Sequence, residues 1–163
     1  MSNKRKSKTK EWAQRQKSDI YSKKARLQSF RSRAVYKLAE LNDIDRLFKF
    51  GMTVVDLGAA PGSWSEFVIE KVGVRGTVIA VDIDPIRPID GVSIIKGDFT
   101  EPSTTSAIVN LLSVSCVDLV ISDLAPNLSG VESVDQSKMR RLVSGAANFA
   151  ADVLCSRGVF VTK

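Results

Sequence analysis

The chain of 163 residues contains no histidine. A Ser-His-Asp triad, a histidine general base and the usual zinc sites all need an imidazole and are therefore excluded. Proton chemistry falls to Lys, Asp, Glu, Tyr or Cys. Cysteine is nearly absent: Cys116 and Cys155 stand 39 positions apart, form no Cys-x-x-Cys pair, and are too few for a disulfide scaffold. No apolar run approaches the roughly 18–20 residues of a membrane span. The charged opening Met1-Ser2-Asn3-Lys4-Arg5-Lys6 lacks the apolar stretch of a secretory signal. What remains is the profile of a globular domain, 44% hydrophobic and 26% charged, long enough for one sizeable core.

The net charge of +6 is unevenly placed. Residues 1–37 hold 13 Lys/Arg against 2 acids, while residues 38–163 hold 11 against 16. A mildly acidic body thus carries a basic arm. Arms of this density contact phosphates, with affinity supplied by counterion release. Trp12, Tyr21 and Phe30 are interleaved with the charges and can stack on unpaired bases. Residues 1–10 contain no large apolar side chain beyond Met1 and are expected to be a solvated tail. Residues 11–37 are expected to form an ordered basic surface. The division expected is an arm over 1–30, partly disordered, and a folded domain over 31–163.

Past Ser32 the pattern alternates. Helical spacing places Val35, Leu38 and Ala39 on one face. Short β-branched runs predict strands over Met52–Leu57, Thr77–Val81, Val92–Ile95 and Val117–Ile121, with a fifth opening at Gly158. Helices are expected over Ser63–Val72, Ser106–Leu112 and Gln136–Leu154. Inward positions are Trp64, Phe67, Val68 and Val72 on the first, and Met139, Leu142, Val143, Ala146, Phe149, Ala150 and Val153 on the last. The alternation implies an α/β, doubly wound, mostly parallel sheet. Lys163 falls where such sheets place active sites, so the natural protein is expected to continue beyond it, with further strands.

Each strand delivers a polar group at its C-terminal end. The first leads into Asp56-Leu57-Gly58-Ala59-Ala60-Pro61-Gly62-Ser63-Trp64. Gly58 and Gly62 let the backbone approach a ligand, and the helix opening at Ser63 aims free N–H groups at an anion. The spacing is not the G-x-G-x-x-G of dinucleotide enzymes. Asp82 closes the second strand and can accept both ribose hydroxyls of a nucleoside cofactor. Asp98, with Phe99 beside it, can accept an adenine amine. The fourth strand ends in Ser122-Asp123-Leu124-Ala125-Pro126-Asn127. Asp56 is expected to brace the glycine loop. Taken singly, each acid can be a helix cap; their repetition behind a glycine loop points to a site.

Val54–Ser65 resembles the S-adenosylmethionine loop of the FtsJ/RrmJ (RlmE) family, the bacterial ribosomal RNA large subunit 2′-O-methyltransferases. The resemblance extends over Ser32–Leu38, Asp82, Gly97–Phe99, Ser122–Gly130 and Gly158–Lys163. It implies a Rossmann-like class I methyltransferase fold with S-adenosyl-L-methionine as cofactor. Gly62, Trp64, Asp82, Asp98 and Asp123 would contact that cofactor. Lys37, Asp123 and Lys163 would be three members of a Lys-Asp-Lys-Glu catalytic set, whose Glu has no counterpart before the chain ends. The resemblance further implies a cytoplasmic monomer that modifies a uridine of 23S ribosomal RNA, using no metal and engaging RNA through its arm. In that chemistry a lysine of lowered pKa would take the hydroxyl proton, Lys37 beside Lys163 supplying the lowering charge and Asp123 orienting both. Other readings stay open: a transfer-RNA 2′-O-methyltransferase, an amino-group methyltransferase, or a non-catalytic RNA-binding assembly factor. The turn after Asp123 lacks the aromatic residue that would grip a planar amine, which favours oxygen as acceptor.

Overall fold

A computed structural model describes residues 31–112, 114–125 and 129–163. Trp12, Tyr21, Phe30, the arm over 1–30 and the turn residues Pro126, Asn127 and Leu128 lie outside the described residues. In chain order the elements are α1 (Ala34–Asp45), β1 (Thr53–Leu57), α2 (Ser63–Val72), a 3-10 turn (Gly73–Arg75), β2 (Thr77–Asp82), β3 (Val92–Lys96), α3 (Pro102–Leu111), β4 (Val117–Ser122), α4 (Glu132–Val153) and β5 (Leu154–Thr162).

The sheet order is β3-β2-β1-β4-β5, and every neighbouring pair is parallel. This is the expected doubly wound arrangement. β1 is buried at every position, as a central parallel strand covered on both faces should be. On one face Val54, Val78, Leu119 and Ile121 pack against Val35 and Leu38 of α1 and Trp64, Phe67 and Val68 of α2. On the other, Val55, Leu57, Ile79, Val81 and Val120 pack against Ile108 of α3 and Ala146, Phe149 and Ala150 of α4. The chain reverses its direction of winding between β1 and β4, which opens a crevice above their C-terminal ends.

Three expected boundaries move. α3 starts at Pro102, four residues before Ser106, because proline is preorganised for a helix's first turn. α4 runs from Glu132 rather than Gln136 and ends at Val153. Its early turns are solvent-exposed and carry no apolar stripe to announce them; Met139, expected inward, is 36% exposed. β5 begins at Leu154 rather than Gly158. Its register against β4 jumps from Val117↔Leu154 to Leu119↔Val159, so an irregularity interrupts the pairing where the sequence shows no apolar alternation. Cys116 and Cys155 are joined by a disulfide across this irregularity. Two cysteines make no scaffold, but here they make one staple between β4 and β5.

Candidate active site

The glycine loop is fixed by backbone bonds to β2. The N–H groups of Gly58 and Ala59 donate to Val81 O, and Ala60 N–H donates to Asp82 Oδ2 at 2.8 Å. Gly58 has φ +75°, and a Cβ there would stand 2.7 Å from Leu124 Cδ2, so only glycine fits. Gly62 has φ +104°, and its missing Cβ would meet Ile89 Cδ1 at 2.8 Å. Gly62 is therefore required by the loop's packing.

The strand ends bring Asp82, Asp98 and Asp123 around one cleft of about 430 Å³, walled by Gly58, Phe99 and Leu142. Asp82 accepts on both oxygens, from Ala60 N–H and from Asp84 N–H at 2.8 Å. Asp98 Oδ1 accepts from the Thr100 N–H and hydroxyl at 2.8 and 2.7 Å. These bonds orient the carboxylates; each Asp82 oxygen keeps a second lone pair for a ligand, and on Asp98 it is Oδ2 that remains for one. The expected ribose and adenine acceptors thus share one cavity, and its apolar walls suit a planar ring.

Trp64 does not line this cleft. Its ring is buried in the α1–α2 core, and its indole N–H donates to Ala34 O at 2.9 Å. Only its main chain, at the start of α2, is left for a ligand. Asp56 lies beneath the cleft, fully buried. Its Oδ2 accepts from Ser65 Oγ at 2.6 Å, and Oδ1 has no partner among the described residues. Burial pushes its carboxyl up to about 7, with the Asp123 and Asp82 charges adding to the rise and the Ser65 hydrogen bond opposing it. Asp56 braces the first turn of α2, close to the role expected of it.

Beside the cleft runs a groove of about 780 Å³ lined by Ser32, Arg33, Tyr36, Lys37, Glu40 and Lys163, among others. The ladder to β4 places Lys163, whose N–H donates to Ser122 O at 3.0 Å. Its ammonium donates to both Asp123 oxygens, at 3.2 and 3.1 Å. Asp123 lines the cleft and Lys163 lines the groove, so one ion pair spans the two. Lys37 shares the groove, but its ammonium bonds Glu40 Oε2 at 3.2 Å. The structure thus joins Asp123 to Lys163 and sets Lys37 nearby on its own partner.

Lys138 of α4 also lines the cleft, and Tyr36 the groove. Neither was expected. Both stand at helical positions indistinguishable in sequence from an ordinary outer face.

A family model for FtsJ-like methyltransferases matches residues 30–163. The chain belongs to the FtsJ-like methyltransferase family. It is 49% identical over 152 residues to ribosomal RNA large subunit methyltransferase E of Cellvibrio japonicus, covering 93% of this chain and 72% of that protein. Among solved structures it is similar to a ribosomal RNA methyltransferase from Plasmodium falciparum, with a TM-score of 0.75 and 25% identity over 81% of this chain and 77% of that one. The fold is shared with fibrillarin of Aeropyrum pernix, a structure with natively bound S-adenosyl-L-methionine (TM-score 0.50, 21% identity, 70% of this chain and 46% of that one). The α/β reading and the methyltransferase reading of the sequence are both borne out. The cleft and the groove, which meet at the Asp123–Lys163 pair, are the candidate site of that chemistry.

Proposed function

We propose that this methyltransferase transfers the methyl group of S-adenosyl-L-methionine to the ribose 2′-hydroxyl of a uridine in large-subunit ribosomal RNA, as a monomer in the cytoplasm. The observation that carries this reading is the Asp123–Lys163 pair. It sets a potential proton acceptor at the junction of a nucleoside-sized cleft and a groove that also carries Arg33 and Lys37. The relative from Cellvibrio japonicus carries a large-subunit name at 49% identity, which supports the choice of RNA.

The donor set fits the cofactor. Asp82 suits a ribose diol, and Asp98 with Phe99 suits an adenine edge and face. Gly62 and the Trp64 main chain would support the methionine end beside the glycine loop. When bound, S-adenosyl-L-methionine supplies an electrophilic methyl on a sulfonium. Everything else falls to the chain. The groove aligns the ribose, which converts an encounter into an in-line approach. Lys163, acting as the neutral amine, takes the hydroxyl proton, and Asp123 orients first the amine and then the ammonium that forms. Lys37 supplies a second cation for the phosphate flanking the target ribose. No metal enters this scheme, and the basic arm over residues 1–30 adds phosphate contacts.

Mapping 2′-O-methylation on ribosomal and transfer RNA from cells lacking the protein tests this reading. The expected result is loss of one uridine methylation in large-subunit RNA, restored by the purified protein with S-adenosyl-L-methionine. Loss confined to transfer RNA would move the substrate. An unaltered map would leave a non-catalytic assembly factor. Deleting residues 4–26 should flatten the fall of RNA affinity with salt and leave cofactor affinity alone.

A further inference from the structure

Arg31 stands just before α1 and reaches far along the chain. Its Nη1 donates to Arg87 O at 2.8 Å and to Pro61 O at 3.4 Å, and its Nη2 donates to Pro88 O at 2.7 Å. Its Nε lies 3.5 Å from Glu66 Oε1, and the two side chains are only 20% and 30% exposed. One guanidinium therefore ties together three segments: the glycine loop, the connection between β2 and β3, and the first turn of α2. The packing beneath it agrees. A Cβ on Gly62 would lie 3.0 Å from Ile86 Cγ2, 2.8 Å from Ile89 Cδ1 and 3.6 Å from Arg31 Cδ. The connection thus rests on the loop's glycine, under the arginine. The same connection begins with Ile83 and Asp84, which line the cleft.

We propose that Arg31 is a positioning residue for the methyl-donor site. It latches the 83–91 connection onto the glycine loop and so sets the affinity for the nucleoside cofactor. The inference rests on the S-adenosyl-L-methionine reading for its ligand, but not for the latch itself. The geometry calls for arginine in particular. A planar fork with five N–H donors serves carbonyls from two loops and a carboxylate at once; a lysine ammonium is a compact point charge that does not. Arg31 also adjoins the basic arm. A residue there that only attracted RNA phosphate would act through charge, and lysine would replace it.

The difference between arginine and lysine supplies the test, in the full chain. Arg31→Lys and Arg31→Ala are titrated with S-adenosyl-L-methionine by calorimetry. Amide hydrogen exchange is followed in the protein alone. Both variants should weaken cofactor binding by at least about fivefold, as expected for losing charge-assisted hydrogen bonds that are partly solvated. Exchange should quicken in residues 58–62 and 83–91 while that of β4 and β5 stays unchanged. Glu66→Gln should act in the same direction and more weakly. Cofactor affinity in Arg31→Lys within twofold of the unsubstituted protein would overturn the proposal. So would unchanged exchange in the two loops, or a rise spread evenly over the domain. Should the unsubstituted protein bind no S-adenosyl-L-methionine, the cofactor reading fails, and the exchange result still decides whether Arg31 is a latch.

Discussion

The cleft and the groove share the Asp123–Lys163 pair but are built on different principles. In the cleft, position comes from the backbone. Asp82 and Asp98 sit at or just past strand ends and hold neighbouring N–H groups at 2.8 Å, and glycines are required by close packing. In the groove, the charged heads are held by other side chains. Lys37 and Glu40 pair on the outer face of α1, 52% and 63% exposed, and Lys163 is 48% exposed. A small ligand of fixed shape suits the first construction, since preorganisation lowers what binding must order. A polyanion suits the second, since solvated cations can displace the counterions condensed on its phosphates. Substitutions in the cleft should therefore act on cofactor affinity and stability, and those in the groove on turnover and RNA.

The largest effect expected lies under the cleft, at Asp56. Its carboxyl is pushed up to about 7 by burial, helped by the Asp123 and Asp82 charges. The folded state holds this proton more tightly than the unfolded chain does. The favourable contribution is thus fully present below the ordinary carboxylate range and is lost as pH rises through about 7. A rise from 3.8 to about 7 corresponds to on the order of 4 kcal/mol. Asp56→Asn keeps an acceptor for Ser65 and removes the charge. Urea unfolding should show it gaining on the unsubstituted protein between pH 4 and pH 8, with little difference at pH 4. A constant difference across that range would show that Asp56 does not titrate there.

Next in size is Lys163. As a base acting on the bound hydroxyl, it should matter to turnover and little to cofactor binding. Lys163→Ala should cut methyl transfer by at least about 10²-fold, the low end for losing general acid–base catalysis. Arginine keeps the cation but holds its proton. Lys163→Arg should be nearly as poor if proton removal is the role. Substantial turnover by the arginine variant at saturating RNA would make Lys163 an electrostatic clamp paired to Asp123. That outcome would also sharpen the contrast, since the groove would then act through charge alone.

Asp82→Ala probes the other construction. It removes the proposed ribose acceptor and also the acceptor for Ala60 N–H, which pins the glycine loop. Cofactor affinity should fall by at least about tenfold, given charge-assisted bonds worth roughly 1.5–3 kcal/mol. RNA affinity should hold. Calorimetry showing unchanged cofactor binding would remove Asp82 from the site.

The same contrast explains what the sequence revealed. Parallel strands buried on both faces read as continuous apolar runs, so β1, β2 and β4 stand out, and with them the acids that follow. Asp82, Asp98 and Asp123 were legible because strand ends place them. The inward ring of Trp64 was legible from helical spacing, and that ring packs in the core and not in the cleft, so one residue drew two expectations that its side chain cannot both meet. The early turns of α4 face solvent and show no stripe, which hid both Glu132 as the start and Lys138 as a wall of the cleft. Lys37 and Lys163 needed the family resemblance, since an exposed lysine looks the same with or without a task. Arg31 left no sequence signal at all: its partners are main-chain carbonyls 30, 56 and 57 positions away.

The smallest effect concerns the Lys37–Glu40 pair, where the contrast is most easily broken. The two residues are three apart on α1, and their heads meet at 3.2 Å in solvent. Exposed pairs of this kind contribute between zero and about 1 kcal/mol, and helix neighbours less than half of that. Glu40→Gln should leave the unfolding midpoint almost unchanged. It frees Lys37 to meet a phosphate, so RNA affinity at low salt should rise modestly, by about twofold, and the gain should vanish as salt is added. Turnover at saturating RNA should stay the same, because neither Asp123 nor Lys163 is touched. Suppose instead that Glu40→Gln slowed turnover as much as Lys37→Ala does. Glu40 would then be aiming Lys37 at the reacting ribose, and the groove would be as preorganised as the cleft.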